Sequence, residues 1–118
     1  MQYEPIDPMS REEVDAALAR GEPEELLRVV LAVALHSEDG PWASALCMQL
    51  AGHEHFNVRG NAILGLGHLA RRFRRLDPAA RDVIENGLRD KHDYVRGQAE
   101  SAADDSQHFL QWKIPRPN

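Results

Sequence analysis

The stretch His53-Glu-His-Phe-Asn-Val-Arg-Gly-Asn-Ala-Ile-Leu-Gly-Leu-Gly-His-Leu-Ala-Arg-Arg-Phe73 decides the fold. Within it Val58, Ala62, Leu66, Leu69 and Phe73 follow at steps of four, four, three and four, which lays them along one stripe of a helix. Gly60, Gly65 and Gly67 sit inside that helix, each at a cost of about 1 kcal/mol relative to alanine. Packing against close helix neighbours, rather than propensity, must therefore hold the segment. The pattern returns downstream, where Val95-Arg96-Gly97-Gln98-Ala99 repeats the order of Val58-Arg59-Gly60-Asn61-Ala62 after 37 residues.

At 118 residues the chain is read as one domain, able to bury roughly two-thirds of its unfolded surface. Its 14 Lys and Arg against 19 Asp and Glu give a net charge of −5, which disfavours general nucleic-acid binding and favours a basic partner surface. A single cysteine, Cys47, makes no internal disulfide, and the opening Met-Gln-Tyr-Glu-Pro-Ile-Asp-Pro lacks the basic and apolar parts of a secretion signal. The expected location is the reducing cytoplasm. The longest aliphatic run, Val29 to Leu35, has seven residues against the roughly 20 that a membrane span needs, so a buried helix and no membrane contact are expected.

Taken in order, residues 1–9 hold Pro5 and Pro8 and read as an extended arm. Ser10-Arg-Glu-Glu13 is a capping box that opens a first helix with Val14, Ala17 and Leu18 inside, and Gly21 stops it. Pro23 fits the first turn of a second helix, Glu24 and Glu25 suit its dipole, and the run Leu26 to Leu35 predicts burial nearly all round. Residues 37–41 read as a turn, and a third helix carries Trp42, Leu46, Met48 and Leu50 up to Gly52. After the organising helix, Asp77-Pro78 opens a fifth helix to about Arg89, with Ala79, Val83, Ile84 and Leu88 as its apolar set. A sixth carries Val95, Ala99, Ala102 and Phe109 and runs to Trp112, before a C-terminal tail over residues 113–118. The expected fold is all-α, an α-solenoid of about three antiparallel hairpins over residues 10–112.

A hairpin repeated at this length, with Val-Arg near the start of its second helix and Ala four residues after the Val, resembles the HEAT repeat family of α-solenoids. The resemblance covers residues 41–109 and is most specific at Asp90-Lys-His-Asp-Tyr-Val95-Arg96, where an aspartate precedes Val-Arg by five residues. The matching position of the previous repeat is His53, a departure from the pattern. The resemblance implies that Arg59, Asp90 and Arg96 are structural, with Arg59 bridging to Asp90. It also implies that the second helix of each hairpin lines a concave face, so that Asn57, Asn61, Leu64 and His68, with Tyr94, Gln98, Ser101 and Asp105, point at a ligand. Short proteins of this kind act as immunity proteins that block a toxin domain in bacterial competition.

Other readings of single motifs are weaker. His53, Glu54 and His55 suggest a metal, as in the di-iron hydroxylase of the family, but His36, His68, His92 and His108 are not followed by Glu, so no metal and no cofactor is expected. Cys47, among Leu46, Met48 and Leu50, reads as a small buried hydrophobe. The run Arg71-Arg-Phe-Arg-Arg75 closes a helix where cations are favoured, with Phe73 in the core. Glu100, Asp104 and Asp105 form an acidic stretch which, beside Glu54, suits a basic nuclease surface. Tyr94, ahead of Trp42 and Trp112, is the aromatic anchor.

The expectation is thus a non-catalytic protein-binding module, an immunity protein that covers a basic toxin domain through Glu54, Asn57, Asn61, His68, Tyr94, Gln98, Ser101, Asp104 and Asp105. Neither nucleic acid nor membrane is among its expected partners, and a monomer is favoured. The alternatives are an adaptor subunit, which predicts an exposed apolar patch along the first or sixth helix, and a metal-dependent hydroxylase.

Overall fold

The computed structural model describes residues 6–117, and these form six helices with no strand among them. They are α1 (Arg11–Arg20), α2 (Pro23–His36), α3 (Gly40–Leu50), α4 (Phe56–Phe73), α5 (Ala79–Gly87) and α6 (Asp93–Leu110). Residues 1–5 of the expected arm and Asn118 of the expected tail lie outside the described residues.

Local chemistry sets the ends. Ser10 Oγ accepts from the Glu13 amide at 3.1 Å and Glu13 Oε1 accepts from the Ser10 amide at 3.0 Å, a closed capping box, and Gly21 ends α1 at φ +70°. Some boundaries differ from the sequence reading. Asp39 accepts from the Trp42 amide, so α3 starts at Gly40, with Pro41 in its first turn, inside the stretch expected to be a turn. α6 ends at Leu110, not Trp112, because Gln111 takes a left-handed conformation at φ 58°. α5 ends at Gly87, short of Arg89.

The three hairpins stack through their second helices, with α4 packed between α2 and α6. These three run parallel. Arg59 reaches Asp90 just before α6, Gly60 lies on Tyr94 and Gly67 lies on Ala102, so α4 and α6 advance together. On the other side Gly65 faces Val30 and Ala34, and Arg72 donates to the carbonyls of Ala34 and Ser37 at 2.9 and 2.7 Å. The arginine run therefore closes the C-terminal end of α2 as well as that of α4.

The glycines of α4 mark close approaches between helices. A Cβ on Gly67 would lie 2.9 Å from Asp105 Oδ2 and 3.0 Å from Ala102 Cα, and one on Gly65 would lie 3.1 Å from Cys47 Sγ. Burial offsets their helix cost, since Ile63, Leu66 and Leu69 are enclosed and each contributes about 1.5–3 kcal/mol. Cys47 is buried with them, and burial pushes its thiol up to about 12.

Four apolar residues sit further out than expected. Ala79 is exposed, and the neighbouring Ala80 takes its place in the core. Leu35 is exposed, which leaves α2 a solvent edge, and Phe73 and Phe109 are half-buried, with the guanidinium groups of Arg72 and Arg74 over their rings. Residues after α6 fold back. Ile114 is buried, the Lys113 carbonyl accepts from Arg81 Nη2 at 2.6 Å, and Arg116 pairs with Asp104 and Glu100.

Candidate protein-binding face

α4 and α6 present one continuous surface because their glycines bring them together in parallel. At its start, Asn57, Asn61, Tyr94 and Gln98 form one network. Asn61 Nδ2 faces the Asn57 carbonyl at 2.8 Å, Asn57 Oδ1 at 3.0 Å and Tyr94 Oη at 2.8 Å. Gln98 Nε2 donates to Tyr94 Oη at 3.1 Å and to Asn61 Oδ1 at 3.3 Å. Asn61 is 8% exposed whereas Tyr94 is 38% exposed, so a buried amide fixes an aromatic ring at the surface. Further along, His68 is half-buried near Asp105; burial and then Arg71 lower its pKa, and Asp105 opposes them. Leu64 is half-buried and Ser101 exposed.

The remaining acids part company. Glu54 is exposed in the α3–α4 turn, where its carbonyl accepts from Arg59 Nη1. Asp104 points instead to the C-terminal segment and accepts from Arg116 Nη2 at 2.6 Å. Beneath the face, Arg59 grips Asp90 by Nε and Nη2 and donates through Nη1 to the carbonyls of His53 and Glu54. Arg96 Nη1 donates to the Asp90 carbonyl at 2.8 Å. The Arg59 guanidinium holds the Asp90 carboxyl below the usual carboxylate range, and Asp90 raises Arg59 in return.

Three of the histidines act at helix starts. His55 Nδ1 accepts from the Asn57 amide at 3.2 Å and His92 Nδ1 from the Tyr94 amide at 3.1 Å, so each caps its helix. His53 Nδ1 accepts from the His55 amide at 3.0 Å. Among the described residues no group of three or more His, Cys, Asp or Glu is arranged to hold a metal.

Sequence reasoning missed Phe56, which is 38% exposed at the start of α4. Its ring lies nearly parallel to His92 at 4.1 Å and to His55 at 5.1 Å, and meets Tyr94 edge-on at 5.8 Å. The signal was present, since His55 and His92 stand the same 37 residues apart as Val58 and Val95. The large apolar residues exposed among the described residues are Leu35, Phe56 and Tyr94, so no such patch lies on α1, and α6 contributes only Tyr94. No helix of the described residues is long and apolar enough to cross a membrane.

No family model matches the chain, and no curated protein matches it. Among solved structures, it is similar to a chain in the crystal structure of the CDI complex from Cupriavidus taiwanensis LMG 19424. The two are 29% identical and superpose with a TM-score of 0.79, over 92% of this chain and 97% of that one.

Proposed function

We propose that this chain is the immunity component of a contact-dependent growth inhibition pair. In this reading it binds a basic toxin domain, most simply a nuclease, and blocks it without catalysis of its own. The observation that carries the reading is the near end-to-end similarity to a chain of a CDI complex, over 92% of this chain and 97% of that one. The HEAT-like architecture belongs to the same reading, supported by the parallel second helices and the Arg59–Asp90 bridge. Residues 10–112 act as one binding domain, and the net charge of −5 favours a basic partner. The proposed face comprises Glu54, Asn57, Asn61, His68, Tyr94, Gln98, Ser101 and Asp105, with Asp104 at its margin. A cytoplasmic site of action follows, since the toxin must be met where its substrate lies.

The test is capture of the partner by the tagged chain from its own lysate, followed by co-expression of the captured domain with and without the chain. A basic domain held at one-to-one stoichiometry, toxic alone and harmless with the chain, is the expected result. Recovery of several subunits of a larger assembly, or of the chain alone, overturns it in favour of an adaptor.

A further inference from the structure

The side-chain network at the start of the α4–α6 face has a fixed direction, because it begins at a group that can only accept. The Asn57 carbonyl takes a hydrogen from Asn61 at 2.8 Å, so Asn61 presents its amide nitrogen there, and the same nitrogen reaches Tyr94 Oη at 2.8 Å. The Asn61 amide oxygen then faces Gln98, which must present nitrogen to it, at 3.3 Å. That nitrogen also reaches Tyr94 Oη, at 3.1 Å. Two donors thus fill both lone pairs of the Tyr94 hydroxyl, and its own hydrogen has no acceptor among the described residues. The ring is held as well as its tip. A Cβ on Gly60 would lie 3.1 Å from two of its carbons, and the Phe56 ring meets it edge-on at 5.8 Å. Asn61 is buried beneath this arrangement, whereas Tyr94 is exposed.

We infer that Asn61 is a positioning residue of the binding face. Buried itself, it acts through Tyr94, holding the ring in the orientation in which the partner meets it and leaving the hydroxyl hydrogen to a main-chain carbonyl of that partner. A ring fixed in advance loses little conformational freedom on binding, which is how an exposed tyrosine becomes a strong anchor. The net charge of −5 disfavours a carboxylate as the acceptor, which leaves a neutral carbonyl. The inference rests on the reading of the chain as an immunity protein that binds through the α4–α6 face.

The test measures affinity for the captured toxin domain in Asn61→Ala, in Tyr94→Phe and in the double variant, together with the aromatic NMR resonances of Tyr94 in the free chain. The expected result is a loss of about three- to tenfold in each single variant, with Asn61→Ala costing less than about twofold in the Tyr94→Phe background. In the free chain, Asn61→Ala should shift the Tyr94 ring resonances and speed ring flipping. Ile84→Val, a core change in α5, is the control and should lower stability without changing affinity. Should Asn61→Ala not fold, Gln98→Ala removes the other donor to the hydroxyl and should lower affinity by a similar factor. A ring-fluorinated tyrosine in place of Tyr94 donates more strongly and accepts more weakly, so it should bind at least as tightly as tyrosine. Additive losses in the double variant, Tyr94 resonances unmoved by Asn61→Ala, weaker binding by the fluorinated ring, or a loss in Ile84→Val as large as in Asn61→Ala overturn the inference. Neutralisation of the captured domain with unchanged affinity in both single variants overturns this inference alone. The expected affinity changes without neutralisation overturn the functional reading alone, and a chain that captures no partner overturns both.

Discussion

Arg59 holds Asp90 across 31 residues of chain by two hydrogen bonds, Nε to Oδ2 at 2.7 Å and Nη2 to Oδ1 at 2.9 Å. Its third nitrogen donates to the carbonyls of His53 and Glu54, so one guanidinium ties the α3–α4 turn to the α5–α6 turn. The two side chains are only 12% and 14% exposed, which limits competition from water.

Asp90→Asn should therefore destabilise the fold by about 1.5–3 kcal/mol at neutral pH, and Arg59→Lys by a similar amount, because lysine cannot make the fork. The pH dependence has a definite sign. The folded carboxyl titrates below its unfolded value, so its stabilisation is complete above the ordinary carboxylate range and is lost as pH falls through the depressed folded value. Urea unfolding should show the gap between wild type and Asp90→Asn to be full at about pH 7 and much reduced near about pH 2.5. A gap that stays constant with pH would mean the bridge contributes through packing alone.

Gly67 and Gly97 should respond to alanine in opposite directions. Alanine at Gly67 meets the Ala102 backbone at 3.0 Å and must force α4 and α6 apart, outweighing the propensity gain for a net loss of about 1–3 kcal/mol. Alanine at Gly97 meets nothing within 4 Å and should stabilise by about 0.5–1 kcal/mol. Thermal melts of the two variants decide the matter.

The same glycines show where the sequence was legible. Val58 and Val95, in register, are both buried, and the repeat fixed the order of helices and the central place of α4. Gly60 and Gly97 are equivalent in the repeat, yet a Cβ on Gly60 would lie 3.1 Å from the Tyr94 ring and one on Gly97 would face open space, because no helix among the described residues packs on that side of α6. Position in the stack, which a repeat does not encode, makes the difference. The side-chain network of the candidate face was partly legible for the same reason. Asn57, Asn61, Tyr94 and Gln98 share one network because two parallel helices place them in register. Asp104 turned away from it because Arg116, twelve residues on, folds back to meet it.

His55 and His92 cap their helices in place of the more usual serine or aspartate, and both do so with Nδ1. Replacing either with alanine should cost about 1 kcal/mol, and replacing it with asparagine should restore most of that stability. Asparagine will not restore the ring contacts of Phe56, so rescue of stability separates capping from stacking. Chemical denaturation of the four single variants provides the check, and an asparagine variant no better than alanine would show that the rings, not the caps, stabilise these turns.

Asp104 and Asp105 are neighbours in sequence, but the fold gives them different access to a basic partner. Asp105 lies against Gly67 on the face shared by α4 and α6, whereas Asp104 is already paired with Arg116. If that face meets the captured toxin, Asp105→Asn should slow association by about two- to fivefold, and Asp104→Asn should change it little. Arg116→Ala frees Asp104 and Glu100 together and should speed association. All three effects should shrink at about 0.5 M salt, where charges further apart than a few ångströms are screened. Surface plasmon resonance against the captured domain measures each rate, and a larger effect at Asp104 than at Asp105 would move the interface from the α4–α6 face to the side covered by the C-terminal segment.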